Sequence, residues 1–165
     1  MTAGHVVSVE TLMLRVGTDN RWSYRHAMTS PRAGETPDEA ARRLAGVRGD
    51  DPGVVLHSTS WRHEPDGRIV LTYAVCPDPA PWLPAEPAPV LEIARGGAPA
   101  TPSPERLALA NVVAHAIRHL AFLVAEDPVV ARALARHPRL GPALSGPSAS
   151  EPASEPAPEP APAGA

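Results

Sequence analysis

At 165 residues the chain is one domain's worth of sequence, and its net charge of −3 offers no basic excess for a nucleic-acid partner. All fifteen cations are arginine, which with abundant Ala, Pro and Gly reads as the codon bias of a GC-rich genome rather than a phosphate-binding signal. The one cysteine, Cys76, has no internal disulfide partner and is expected as a reduced, buried thiol. The N-terminus lacks a charged-then-apolar signal pattern, so a cytoplasmic protein is expected.

In chain order, His5 to Val16 alternates imperfectly and predicts a first strand with a bulge near Glu10-Thr11. Gly17 to Asn20 reads as a turn. Trp22 to Met28 reads as a second strand with Trp22, Tyr24 and His26 on one side. Ser30 to Gly34 is a loop leading into a helix whose start is well specified. Thr36 suits the N-cap, Pro37 the first helical position and Glu39 the third, which is capping-box spacing. Asp38 and Glu39 complement the positive end of the helix dipole. Ala40, Ala41 and Leu44 form a small apolar stripe, and Gly46 and Gly49 end the helix.

The run Gly34-Glu35-Thr36-Pro37, Glu39-Ala40-Ala41 and Arg43 resembles the first half of the Nudix box. Glu35 takes the place of its first glutamate and Arg43 that of its arginine. Beyond Arg43 the pattern departs. Leu44 stands at the first metal glutamate, Val47 and Arg48 at the Glu-Glu pair, Asp50 at the last glycine and Thr29 at the opening one. The family holds magnesium on clustered carboxylates of one helix face, and an arginine at a ligand position repels the ion. The resemblance therefore implies the fold, a Nudix-like mixed β-sheet sandwiched between helices in the α/β class, more than the activity. It implies no bound metal and no cofactor.

Asp50 to Gly53 reads as a turn and Val54 to Arg62 as a strand. Glu64-Pro65-Asp66-Gly67 suits a four-residue turn, and Arg68 to Val75 is rich in branched and aromatic residues. Closing that hairpin at Glu64 and Gly67 sets Trp61 opposite Val70, Thr59 opposite Thr72 and Ser58 opposite Tyr73. Both faces of the second strand are apolar, so both are expected to be covered. Pro77 to Pro89 holds six prolines in thirteen residues and must be an extended loop, pinned by Trp82 and Leu83. Val90 to Ala94 is expected as a short edge strand. Ser103 and Pro104 are expected to start a helix running to Glu126, apolar except for a stripe of Asn111, His115, Arg118 and His119. That helix is long enough to span a bilayer, but the central Arg118 argues for a core helix. Asp127-Pro128 opens a further helix ending by His137-Pro138. A domain over residues 1–140 is expected, followed by a disordered Pro/Ala/Glu-rich tail from Gly141 to Ala165.

The candidate ligand-binding residues are Glu35, Arg43, Trp61 and His57; no metal ligand and no catalytic residue is assigned. Trp61-Arg62-His63 and Trp22 with Tyr24 have the chemistry to line a stacking cleft, against a plainer reading as core and rim packing. His115 and His119 have i, i+4 metal spacing but no evident third ligand. His57, Ser58, Ser60, Asp66 and Asp78 hold triad residue types without a nucleophile-elbow motif. Three functions are in play. One is a Nudix-like ligand-binding, regulatory or interaction module without pyrophosphohydrolase activity. A second is an active hydrolase recruiting carboxylates such as Glu10, Glu64, Asp66 or Glu86. The third is an unrelated α+β interaction protein that pairs through the Leu107–Ala125 helix. The partner expected is a small molecule, a protein or a second copy in a homodimer; neither nucleic acid nor membrane is expected.

Overall fold

The structure, a computed structural model, describes residues 6–88 and 91–146. Its centre is a five-stranded mixed sheet of β1 (Val7–Val16), β2 (Trp22–Thr29), β3 (Val55–His63), β4 (Ile69–Cys76) and β5 (Glu86–Pro87), in the order β3-β4-β1-β2-β5. β1 runs parallel to β4, and the other neighbours are antiparallel. The helices are α1 (Pro37–Ala45), α2 (Leu109–Glu126), α3 (Pro128–Leu134) and α4 (Leu140–Ser145).

The period-two pattern of the central strands sends alternate residues to two different covers. Val9 packs with Ala40, Ala41 and Tyr73, and Met13 with Ala45 and Val75, so α1 closes one face. Leu12, Leu14, Ala74 and Cys76 join Val113, Ile117 and Leu120, so α2 closes the other. Cys76 is fully buried, as expected, and burial pushes its thiol pKa up. Seven residues of α2 are buried in the core, while Phe122 on the same helix is 58% exposed.

α1 forms as its sequence requires. Thr36 Oγ1 accepts from the Glu39 amide at 3.3 Å, the Glu39 carboxylate accepts from the Thr36 amide at 2.8 Å, and Gly46 closes the helix at φ 72°. The Asp127 side chain likewise accepts from the amides of Val129 and Val130 to start α3.

Several expectations are corrected. β1 carries no bulge, because Glu10 and Thr11 keep partners on both sides, Met28 and Ala27 in β2, Thr72 and Tyr73 in β4. The bulge lies in β3, between Ser58 and Ser60. The β3–β4 turn bonds Gly67 N to Glu64 O at 2.9 Å, but Gly67 sits at φ 86° and the ladder closes at Glu64 and Arg68. A type I turn followed by a left-handed glycine lengthens the loop by one residue. Trp61 therefore faces Leu71 and Ser60 faces Thr72; the bulge then restores the expected pairing of Ser58 with Tyr73.

The edge strand beside β2 is Glu86–Pro87, inside the proline-rich loop, rather than Val90 to Ala94. Val90 lies outside the described residues, and the carbonyls of Leu91 and Glu92 are taken by Arg118 and Asn111 of α2. α2 begins at Leu109, not after Ser103. Asn111 Oδ1 accepts from the Ala108 amide while its Nδ2 donates to Glu92 O, so docking onto that segment sets the first turn. The loop is not pinned by its large apolar residues: Trp82 is 78% exposed and Leu83 41%. Arg15 holds it instead, donating to Pro81 O at 2.7 Å and Leu83 O at 2.8 Å. Finally, Gly141 lies within α4, whose Leu140 and Leu144 are buried in the main core, so the ordered domain runs past residue 140. The tail beyond residue 146 lies outside the described residues.

Candidate functional site

Glu35 and Arg43 meet at the start of α1. The left-handed Gly34, at φ 78°, turns the chain so that Glu35 folds back beside the helix it precedes. Arg43 Nε and Nη2 donate to the two carboxylate oxygens at 2.7 and 2.8 Å, and the Arg32 amide donates to Oε2 at 2.8 Å. The Arg43 guanidinium and then the Arg32 amide pull the Glu35 pKa down to about 2. Such a bidentate pair fixes both planes and leaves the carboxylate's charge satisfied within the protein.

Beyond Glu35, α1 carries acids only in its first turn, Asp38 and Glu39, and Glu39 is engaged in the capping box. Arg48 pairs with Asp50 at 3.1 Å on the surface, and Asp38 accepts from the Tyr73 hydroxyl. The carboxylates considered as recruits are each met by another protein group: Glu64 by Arg62, Asp66 by Arg68 and Glu86 by the Tyr24 hydroxyl. No group of three or more His, Cys, Asp or Glu side chains with metal-binding geometry occurs among the described residues.

The four sequence-predicted ligand-binding residues do not converge. Trp61 faces Leu71, which packs on the α1 side, and is 70% exposed on the edge strand. His57 faces Ala74, which belongs to the α2 side. There it meets His119 at a ring separation of 5.3 Å, with His115 stacked 6.4 Å beyond. The polar stripe of α2 thus points inward onto β3 and the segment after residue 90: His115 Nε2 donates to Thr59 O at 3.2 Å, and Arg118 to Leu91 O at 3.2 Å. Burial, and then the neighbouring His57 and His115, push the His119 pKa down, and its Nε2 is buried without a partner.

Sequence reasoning named Glu10 only as a carboxylate type and missed the buried ionic centre it builds. Glu10 lies on the α2 face of β1, 1% exposed. It accepts from Arg62 Nη1 at 2.7 Å and Nη2 at 3.1 Å, from Thr72 Oγ1 at 2.7 Å, and pairs with His26 Nε2 at 2.9 Å. Burial opposes its charge, but His26, Arg62 and Thr72 together bring the pKa down to about 2. The signal was an acid at an inward position of a strand otherwise made of apolar inward residues. Strands β2, β3 and β4 had to be set beside it before its partners could be named.

A second centre holds the other end of the sheet. Asp78 is buried, accepts two bonds from Arg25 at 2.9 and 2.6 Å and one from Arg15 at 3.3 Å, and its Oδ1 takes the Ala80 amide. Burial alone would raise its pKa; Arg25, the Ala80 amide and Arg15 hold it lowered. Both centres carry compensated charge and act as clamps between strands and loop. No family model matches this chain, and neither a curated protein nor a solved structure matches it.

Proposed function

We propose that the chain is a Nudix-like scaffold without metal-dependent pyrophosphohydrolase activity, serving as a ligand-binding, regulatory or interaction module. The observation that carries this reading is the state of Glu35. The one glutamate of the box that the sequence keeps spends both oxygens on Arg43 and the Arg32 amide. A magnesium ion in that place would have to displace a guanidinium and would find Leu44, Val47 and Arg48 in place of further carboxylates. The layering of a mixed sheet between α1 and α2 supports the reading, since the box helix then rests on a sheet face.

Calorimetric titration with magnesium or manganese is expected to give no binding, and nucleotide sugars, dinucleotides and oxidised nucleotides are expected to show no turnover above blank. Tight magnesium uptake that Glu35→Gln removes, or turnover that the same change abolishes, would overturn it.

A further inference from the structure

A cavity of about 650 Å³ opens where the parallel strands β1 and β4 finish. That volume falls in the range ligand pockets occupy, roughly 300–1,000 Å³. Its position is also the favoured one in open α/β sheets, outside the carboxyl ends of parallel strands. Val16, Pro77 and Pro81 line its sheet side, and Pro138, Arg139 and Leu140 its α3–α4 side.

The walls are mostly apolar, and the polar His137 among them donates to Gly53 O at 2.8 Å. Three prolines present ring surfaces that carry no amide donor, which suits a planar hydrophobic ring better than a sugar or a peptide strand. The charge balance beside them is positive. The one acid at the cavity, Asp78, is buried and already shared between Arg15 and Arg25. Arg15 is held rigid by Asp78 and by the carbonyls of Pro81 and Leu83. Arg139 stands exposed at the opening and makes no ion pair among the described residues. An apolar slot with uncompensated cationic charge at its mouth matches a ligand whose ring enters and whose anionic group stays at the rim.

We propose that this cleft binds a planar aromatic anion. The site stands on its own residues and not on the reading of the α1 helix. Magnesium binding at Glu35 would defeat that reading and leave the cleft intact, and failure of the cleft would leave that reading intact.

The probe is 8-anilinonaphthalene-1-sulfonate, titrated into the full chain by calorimetry, with N-phenyl-1-naphthylamine as its uncharged counterpart. The expected result is one saturable site for the sulfonate, with the neutral compound weaker by about two- to fivefold, the effect of one partly exposed charge pair. Arg139→Glu should weaken the sulfonate by a similar or larger factor and Arg139→Lys should retain most of it. Pro138→Trp, at an exposed position, should fill the opening and abolish binding. Thermal melting of each variant separates a lost site from a lost fold, and the Arg139 pair decides the matter if Pro138→Trp melts early. Non-saturating or multi-site uptake, equal binding of the neutral compound, or indifference to Arg139→Glu in a folded protein overturns the proposal.

Discussion

Removing a carboxylate from water costs several kcal/mol unless donors meet its oxygens. Glu10 meets that condition with Arg62, Thr72 and His26, residues from three different strands. Its folded pKa of about 2 lies below the ordinary 4.5, so the folded state resists protonating it. The stabilisation is therefore complete above pH 4.5 and is lost as the pH falls from there toward 2, by up to about 3 kcal/mol. Urea titrations at pH 7 and at pH 3 measure this loss. Glu10→Gln is expected to lower stability at pH 7 by about 3 kcal/mol, because Arg62 is left as a half-buried charge with only Glu64, and to flatten the acid limb. A variant as stable as the parent, with the same acid limb, would mean that the cluster contributes nothing net.

At the scale of elements, α1 and α2 are built on different terms. α1 is specified locally, through its capping box, its proline and its left-handed glycine. Thr36→Ala is expected to cost about 1 kcal/mol, read as a lowered melting temperature without loss of the sheet. α2 has no side-chain cap from its N-cap residue Ala108 and is placed by docking, apolar residues onto the sheet and the polar stripe onto β3 and the segment after residue 90. Its contact with β3 includes three imidazoles, and His119 titrates below the usual 6.5. A histidine whose pKa is lowered on folding contributes stability above its unfolded pKa and loses it as the pH drops below about 6.5. This limb lies well above that of Glu10, so the two are separable. His119→Leu is expected to leave stability at pH 7 within about 1 kcal/mol of the parent, since it removes a buried unpaired nitrogen, and to erase the loss that sets in below about pH 6.5. Melting curves on either side of that pH test it.

At the scale of the whole molecule, each sheet edge carries an interruption, although β5 covers only Ser23 and Tyr24 of β2. β3 is broken by its bulge, and β5 is two residues long and ends in a proline. Such edges resist strand-to-strand association. The sheet is closed on one side by α1 and on the other by α2, with α3 and α4 completing the main core. α4 belongs to the domain, because Leu140 and Leu144 are each 3% exposed. Ending the chain at Pro138 removes both and is expected to cost roughly 2–5 kcal/mol for each, enough to unfold a domain of ordinary stability. Circular dichroism of the shortened chain checks this; a fully folded, equally stable product would place the boundary before α4.

What the sequence determined by itself is whatever rests on neighbours in the chain. The helix start at Thr36-Pro37 and the strands flanking Glu64–Gly67 belong to this class, because caps and turns act over a few residues. The tertiary structure decided the rest. The one-residue shift in the hairpin came from Gly67 adopting a left-handed conformation, and the start of α2 came from Asn111 finding Glu92. The edge strand lies at Glu86–Pro87, while the carbonyls of Leu91 and Glu92 bond Arg118 and Asn111 of α2. Along the chain Glu10 was one carboxylate among possible metal recruits and Asp78 one triad residue type; only the sheet, by setting arginines more than fifty positions away beside them, turned each into a buried clamp. Burial and charge compensation depend on which distant segments meet, and no local pattern of residues encodes that meeting.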